Sequence, residues 1–497
     1  MLKILNKKIA VIGSGFGGIA SALRMKSLGF EVTLIERLQD LGGRARVFNR
    51  NGYKHDAGPT VITAPFLFNE LFELFDEKLE DYLNFQSLDP WYRFYFHNGQ
   101  QFDYKPSIED TILEIERFSK KDADGYRKLI NHSKKIFNVG FLKLSDKSFH
   151  SFWEMIKQIP SLISLQSYMS VSSLVNKYLK NPFIRKAFSI HPLLVGGDPH
   201  TTTSIYALIH YLERKWGVYF CMGGTGKIID ELESLALKNG IHIMKNTDVT
   251  EIVTLKDKVH SLVLNNDKEI LFDAIICNAD PPTVYKEMIK TKLPQRTFKP
   301  EPMIQYSMGL FVLFFGTKKQ YPAVAHHTIW LSERFKDLLK DIFEKKTLSD
   351  DFSLYLHRPT ATDSSFAPEG CDSFYVLCPV PNLQGSINWD REGERLKDRI
   401  ISELSKTILP NLEKVIEEVF WMDPNDFKKD YRSMHGAGFS IAPIFSQSAW
   451  FRYHNKDPKL KNLYFAAAGS HPGAGIPGVL SSAKVVEKLI KKDFKIN

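Results

Sequence analysis

Gly13, Gly15 and Gly18 stand near the start of the chain in the spacing G-x-G-x-x-G, and the acidic Glu36 follows 23 residues after the first of them. Each residue type has a physical reason to be there. The first glycine permits a tight turn, the second lets backbone approach a pyrophosphate, and the third lets a helix pack close on a strand. A carboxylate about 20 residues further on can accept hydrogen bonds from a ribose, and it favours a free ribose over a 2′-phosphorylated one. Asp40-Leu-Gly-Gly-Arg-Ala-Arg comes next: Gly43 lets backbone approach a ligand, and Arg44 offers phosphate a fixed charge. The chemistry implied is the holding of a dinucleotide.

A second glycine-rich junction lies at the other end. Asn462-Leu-Tyr-Phe-Ala-Ala-Ala-Gly reads as a strand and turn, followed by Ser470-His-Pro-Gly-Ala-Gly-Ile-Pro-Gly and a helix from Val479 to Lys491. Small residues before a helix N-terminus make a second ligand wall. Two such junctions at opposite ends point to one split domain gripping one long ligand.

These residues need elements to position them. Lys8 to Ile12 is a short branched apolar run, the pattern of a buried parallel strand, leading into a helix from Phe16 to Leu28 and a strand from Val32 to Ile35. Gly223-Gly-Thr-Gly-Lys opens a helix from Lys227 to Lys238, with strands expected at Ile241–Met244, Val249–Leu255 and Val259–Leu264. Asp273-Ala-Ile-Ile-Cys-Asn-Ala-Asp looks like a strand returning to the first sheet, and Met308 to Phe315 like a buried strand. The middle alternates strands such as Phe374–Val380 with helices such as Glu394–Leu409. The fold class expected is α/β: a split Rossmann-like domain made of residues 1–65, 223–290 and 430–497. Residues 66–222 and 291–429 form an inserted α+β substrate part with a helical, membrane-associating portion.

Composition narrows the partners. The 497 residues are 43% hydrophobic and 12% aromatic, enough for a substantial core and unlike a disordered chain. The net charge of +9 is diffuse, with no dense basic run interleaved with aromatics. That argues against nucleic acid and leaves an anionic membrane surface. Cys221, Cys277, Cys371 and Cys378 show no metal-ligand or C-x-x-C spacing, so no metal is expected and the cysteines read as reduced. No apolar run reaches about 18 residues, so no spanning helix is expected. The first residues run straight into a strand, leaving no room for a signal peptide. From Phe149 to Leu179 apolar residues recur at helical spacing, with Trp153, Tyr168, Lys157 and Lys177 among them. That is the make-up of an interfacial membrane helix, and equally of a helical pair capping a core.

Several stretches together resemble the bacterial and fungal phytoene desaturases of carotenoid synthesis, from about residue 8 to residue 490. They are Asp56-Ala-Gly-Pro-Thr-Val-Ile-Thr, Leu193-Leu-Val-Gly-Gly-Asp-Pro-His-Thr-Thr-Thr-Ser-Ile-Tyr-Ala-Leu-Ile-His, Trp216-Gly-Val-Tyr-Phe-Cys-Met-Gly-Gly-Thr-Gly, Gln447-Ser-Ala-Trp-Phe-Arg and Gly469-Ser-His-Pro-Gly-Ala-Gly-Ile-Pro-Gly-Val. The resemblance implies an FAD-binding fold like that of the amine oxidases, in a peripheral protein of the cytoplasmic membrane face that could form a homo-oligomer. By the same resemblance Gly13, Gly15 and Gly18 face the pyrophosphate, Glu36 the adenosine ribose, Gly43 and Arg44 the phosphates, and Val249 the adenine. Gly469, Ser470, Gly475 and Val479 belong to the loop that closes over the flavin end. Ala467 departs from an expected glycine and Ser470 from a threonine, although serine keeps the hydroxyl.

The reaction implied is the stepwise removal of hydride and proton from 15-cis-phytoene, a long-chain polyene, toward lycopene. Side chains accept hydride poorly, so flavin is the expected sink. Asp198, His191, His471 and Arg214 lie in family-like motifs, but none is assigned as the proton acceptor. Related isomerases, terminal-methyl oxidases and retinoid saturases share the general pattern. Prenyl-lipid escort proteins share the fold without flavin, and the set of Glu36, Arg44 and the 469–478 loop argues against that last reading.

Overall fold

The computed structural model describes residues 6–148, 152–265, 268–290 and 301–496; Phe149 lies outside the described residues. A five-stranded parallel sheet organises the nucleotide side. Its order is Leu463–Phe465, Ala274–Cys277, Lys8–Ile12, Glu31–Ile35, His242–Met244, so segments far apart in the chain meet edge to edge. Ile9, Ala10, Val11 and Ile12 are all buried, as a strand covered on both faces requires.

Helices Phe16–Ser27, Gly224–Lys238 and Ile476–Phe494 cover one face of this sheet. The antiparallel strands Val249–Leu255, Lys258–Leu264 and Lys268–Leu271 cover the other. The first and last helices are clamped by the buried Arg24, which donates to Glu487 at 2.8 Å and to Glu70 at 3.0 Å. Carboxyl ends of parallel strands, where both glycine-rich junctions leave the sheet, are where open α/β sheets bind ligands.

A seven-stranded sheet forms the second body. Its order is Ile416–Met422, Gly309–Thr317, Asp372–Val380, Leu354–His357, His327–Leu331, Tyr92–Phe96, Gln101–Tyr104, antiparallel except where His327–Leu331 runs beside Tyr92–Phe96. Side chains of Gly309–Thr317 alternate between its faces. Phe311, Leu313 and Phe315 pack under helix Trp389–Lys406, while Leu310, Val312 and Phe314 join the opposite cluster. A helical layer completes the molecule, with helices Asp122–Gly140, Val171–Tyr178, Pro182–Ser189 and Leu208–Trp216 sharing one core.

The segment of helical spacing that begins at Phe149 divides in two. Helix Val171–Tyr178 is core, with Val171, Leu174 and Val175 buried. Helix Phe152–Ser164 instead leaves apolar side chains outside, with Trp153 at 70%, Ile159 at 43% and Ile163 at 60% exposure. Among the described residues no helix is long and apolar enough to cross a membrane.

Candidate functional site

Gly18 shows why the first turn needs glycine. A Cβ there would stand 2.0 Å from the carbonyl oxygen of Gly13, so the helix can cross its strand this closely only without a side chain. Gly15 precedes the helix start, and a Cβ on it would stand 2.7 Å from Asn278 Oδ1. Asn278 ends the neighbouring strand and donates from Nδ2 to the carbonyl of Ala466 at 2.5 Å, so one amide ties together the two glycine-rich junctions. No spacing rule in the sequence marks Asn278. The signal it leaves is only a small polar residue at the carboxyl end of a buried strand.

Glu36 is buried at the end of the second strand. Its Oε2 accepts from Ser14 N at 2.9 Å and from Ser14 Oγ at 2.6 Å, and Oε1 accepts from Leu38 N at 2.9 Å. A carboxylate has about four lone-pair sites, so one acceptor position remains on Oε1. Arg44 donates from Nη2 to Ser433 Oγ at 3.1 Å, and its buried Nε has no hydrogen-bond partner. Burial pulls this guanidinium below the ordinary arginine value, opposed by nearby Asp280 and Tyr431. A desolvated cation with an open donor fits a phosphate.

These groups face one cavity of about 530 Å³, within the range of small-molecule sites. Gly13, Gly15, Glu36, Gly43, Arg44, Val249, Gly475 and Val479 all lie in its wall. Three of the expected contacts do not. Gly18 is consumed by the helix–strand crossing, and Gly469 packs against Ser440, Pro281 and Asp280. Ser470 is fully buried with its hydroxyl turned into its own loop, donating to the Ala467 carbonyl at 2.9 Å and accepting from Ala467 N at 3.0 Å. Ser470 therefore shapes the loop from behind, and Ala468 takes the place in the wall.

Beyond the glycines the same cavity becomes apolar. Ile136 and Val139 of one helix, Leu162 and Leu165 of the next segment, and Leu193, Leu310, Ile329 and Leu377 line it. Gln158 and Leu162 of helix Phe152–Ser164 thus face the cavity while Ile159 and Ile163 of the same helix face outward. Glycine cradle and hydrocarbon chamber form one continuous space, so a ligand held by its phosphates can meet a long apolar molecule there.

The titratable residues singled out from the sequence separate here. Asp198 supports its own loop by accepting from His200 N at 2.8 Å, and Arg214 donates to the carbonyls of Lys105 and Pro106 at 2.6 and 2.8 Å. The guanidinium of Arg214 also lies over the Trp91 and Tyr104 rings. His471 lies in the wall, with Nε2 at 3.1 Å from the Leu144 carbonyl. His191 lies 3.0 Å from a carboxylate the sequence reading passed over, Glu213. Among the described residues no cluster of side chains could hold a metal.

Comparison with known proteins agrees with this geometry. The family model for flavin containing amine oxidoreductases matches residues 16–486. The phytoene desaturase (lycopene-forming) of Pantoea ananas is 40% identical over 492 residues, covering 98% of this chain and 100% of that protein. The phytoene desaturase (neurosporene-forming) of Rhodobacter capsulatus is 36% identical, covering 97% and 94%. An oxidoreductase from Methanosarcina mazei has a similar fold, with a TM-score of 0.65 at 16% identity over 97% of this chain and 100% of its own. A dinucleotide cradle opening into a hydrocarbon chamber, in a sequence aligned end to end with such relatives, places this chain in the flavin-containing amine oxidoreductase family, among the carotenoid desaturases.

Proposed function

We propose that this protein is an FAD-dependent desaturase that takes 15-cis-phytoene toward lycopene at the cytoplasmic face of a membrane. The observation that carries the reading is the single cavity joining the Gly13–Gly18 cradle to a wall of Leu, Ile and Val side chains. A polar, nucleotide-holding end and a dry, hydrocarbon-lined end in one space suit redox chemistry on a molecule without polar handles.

In this reading Gly13, Gly15 and Gly43 admit the pyrophosphate, Arg44 neutralises it, Glu36 takes a ribose hydroxyl, and Val249 borders the adenine. The adenosine-side residues favour FAD over a mononucleotide. Bound flavin supplies a two-electron acceptor for hydride. The chain supplies the rest: the apolar wall aligns the polyene, and its dryness keeps water from any cationic carbon. Dissolving a forty-carbon hydrocarbon in water costs on the order of 30 kcal/mol at about 0.8 kcal/mol per CH₂. The polyene therefore reaches the cavity from a bilayer, on the side where helix Phe152–Ser164 presents Trp153, Ile159 and Ile163.

The test is incubation of the purified yellow protein with phytoene-loaded liposomes and an electron acceptor. The expected result is a progressive gain of conjugation, read as absorbance and as chromatographed products, with FAD identified in the denatured supernatant. Unchanged phytoene from flavin-loaded, membrane-bound protein would sink the reading in favour of an isomerase or oxidase.

A further inference from the structure

We propose that Glu213 is the proton acceptor of the desaturation. The inference rests on the desaturase reading above and assigns its missing catalytic residue. On helix Leu208–Trp216, Ile209, Leu212 and Glu213 stand at i, i+3 and i+4 and all reach the cavity. Other carboxylates in the wall, Glu36, Asp248 and Asp430, belong with the nucleotide cradle. Glu213 alone of these stands in the hydrocarbon half, and it is 1% exposed.

Its surroundings hold it by two hydrogen bonds, with the Arg214 charge nearby but not ion-paired to it. Oε1 accepts from Tyr92 Oη at 2.8 Å, and Oε2 lies 3.0 Å from His191 Nε2. Among the described residues no lysine or arginine forms an ion pair with it; Arg214, next in the chain, spends its donors on the Lys105 and Pro106 carbonyls, Tyr126 and Thr111. The Tyr92 phenol is held well above its ordinary value, first by burial and then by the Glu213 charge, so it remains a donor. A carboxylate in such a wall costs several kcal/mol that a leucine would not. With two donors on about four lone-pair sites, it keeps acceptor capacity.

The step balances. A hydride leaves one carbon of the polyene with its electron pair for the oxidised flavin. The proton on the adjacent carbon passes to a Glu213 oxygen, and the C–H pair left behind becomes the new π bond. Before transfer, the carboxylate charge also favours the cationic carbon. Tyr92 and His191 are positioning residues that aim the carboxylate.

The test uses membrane-bound holoenzyme. Glu213→Gln keeps the shape and one acceptor oxygen, puts an amide donor where the second acceptor stood so that Tyr92 or His191 must reverse its role, and cannot take the proton. Flavin content, thermal midpoint and KM for phytoene are expected to stay within twofold of wild type, while kcat falls about a hundredfold or more, the usual size of general-base catalysis. Glu213→Asp should restore part of the loss. A Glu213→Gln protein that keeps within threefold of an active wild type overturns the assignment, as does one whose lost activity follows lost flavin. Should Glu213→Gln fail to fold, Tyr92→Phe gives the second reading. Removing the hydroxyl that aims the carboxylate should lower kcat about tenfold while flavin content and KM for phytoene stay as in wild type. An unchanged kcat in that variant overturns the proposal. Wild-type protein that leaves phytoene unchanged overturns the desaturase reading itself, a separate outcome.

Discussion

Gly15 has no room for a side chain, because a Cβ would press on Asn278 Oδ1 from one side while the pyrophosphate must approach from the other. Gly15→Val should therefore give colourless protein, read as the ratio of flavin to protein absorbance after purification; retention of flavin at the wild-type ratio would mean the cradle lies elsewhere. Arg44→Ala tests the phosphate end separately. Hydrogen bonds to charged groups contribute about 1.5–3 kcal/mol, so flavin affinity should fall about tenfold to a hundredfold in an apoprotein titration. The places of Gly13, Gly15, Glu36 and Arg44 in the cavity wall were legible in the sequence because they depend on local spacing around the first strand–turn–helix. Asn278 and Glu213 were not, because each acts through partners hundreds or tens of residues away. Ser470 shows the opposite failure: its motif is recognisable, yet the direction of its hydroxyl depends on how the loop folds back on Ala467.

Strands Tyr53–Asp56, His327–Leu331 and Leu354–His357 carry a set of buried imidazoles with a consequence for stability. Burial pushes His55 down to about 4 and His327 down to about 3, and holds His326 and His357 well below the ordinary value. In the unfolded chain the same rings titrate near 6.5. Below that pH the unfolded chain takes up protons that the native state refuses. The stabilisation is complete above about 6.5 and is lost as pH falls toward about 4, at roughly 1.4 kcal/mol per pH unit for each ring. His55 also pairs with Ser373 Oγ at 2.9 Å, a contact that glutamine can keep. Between pH 7 and pH 5, His55→Gln should lose about 2 kcal/mol less than wild type in denaturant titrations; parallel losses would refute the assignment. Such a cluster cannot be read from sequence. The strands of the parallel sheet announce themselves as short buried runs, and Gly309–Thr317 does so by its apolar length. The order of the seven-stranded sheet is set by pairings such as Phe311 with Cys378, which no local pattern encodes.

Seen whole, the chain lines one cavity both with its glycine-rich junctions and with the inner side of a helix whose outer side is apolar and exposed. Trp153, Ile159 and Ile163 point away from the core, Tyr168 is 68% exposed just beyond them, and Leu142 is exposed in the preceding segment. Lys143, Lys147, Lys157 and Lys177 are exposed along the same stretch, in a chain of net charge +9. Exposed apolar side chains and lysines along one stretch suit the boundary between acyl chains and anionic headgroups. Ile156 is half-buried, whereas Trp153, Ile159 and Ile163 stand clear, so these three carry the test. Replacing all three with serine removes partly exposed apolar groups together worth on the order of 3 kcal/mol on insertion. Liposome sedimentation should then show about a hundredfold weaker binding, and weaker still at high salt as the lysine contribution is screened. Flavin content should not change, since none of the three lines the cavity. Turnover of phytoene held in liposomes should fall with binding. Flavin loss in the triple variant would make this helix part of the cofactor's support, and full liposome binding with flavin intact would put the membrane contact on another face.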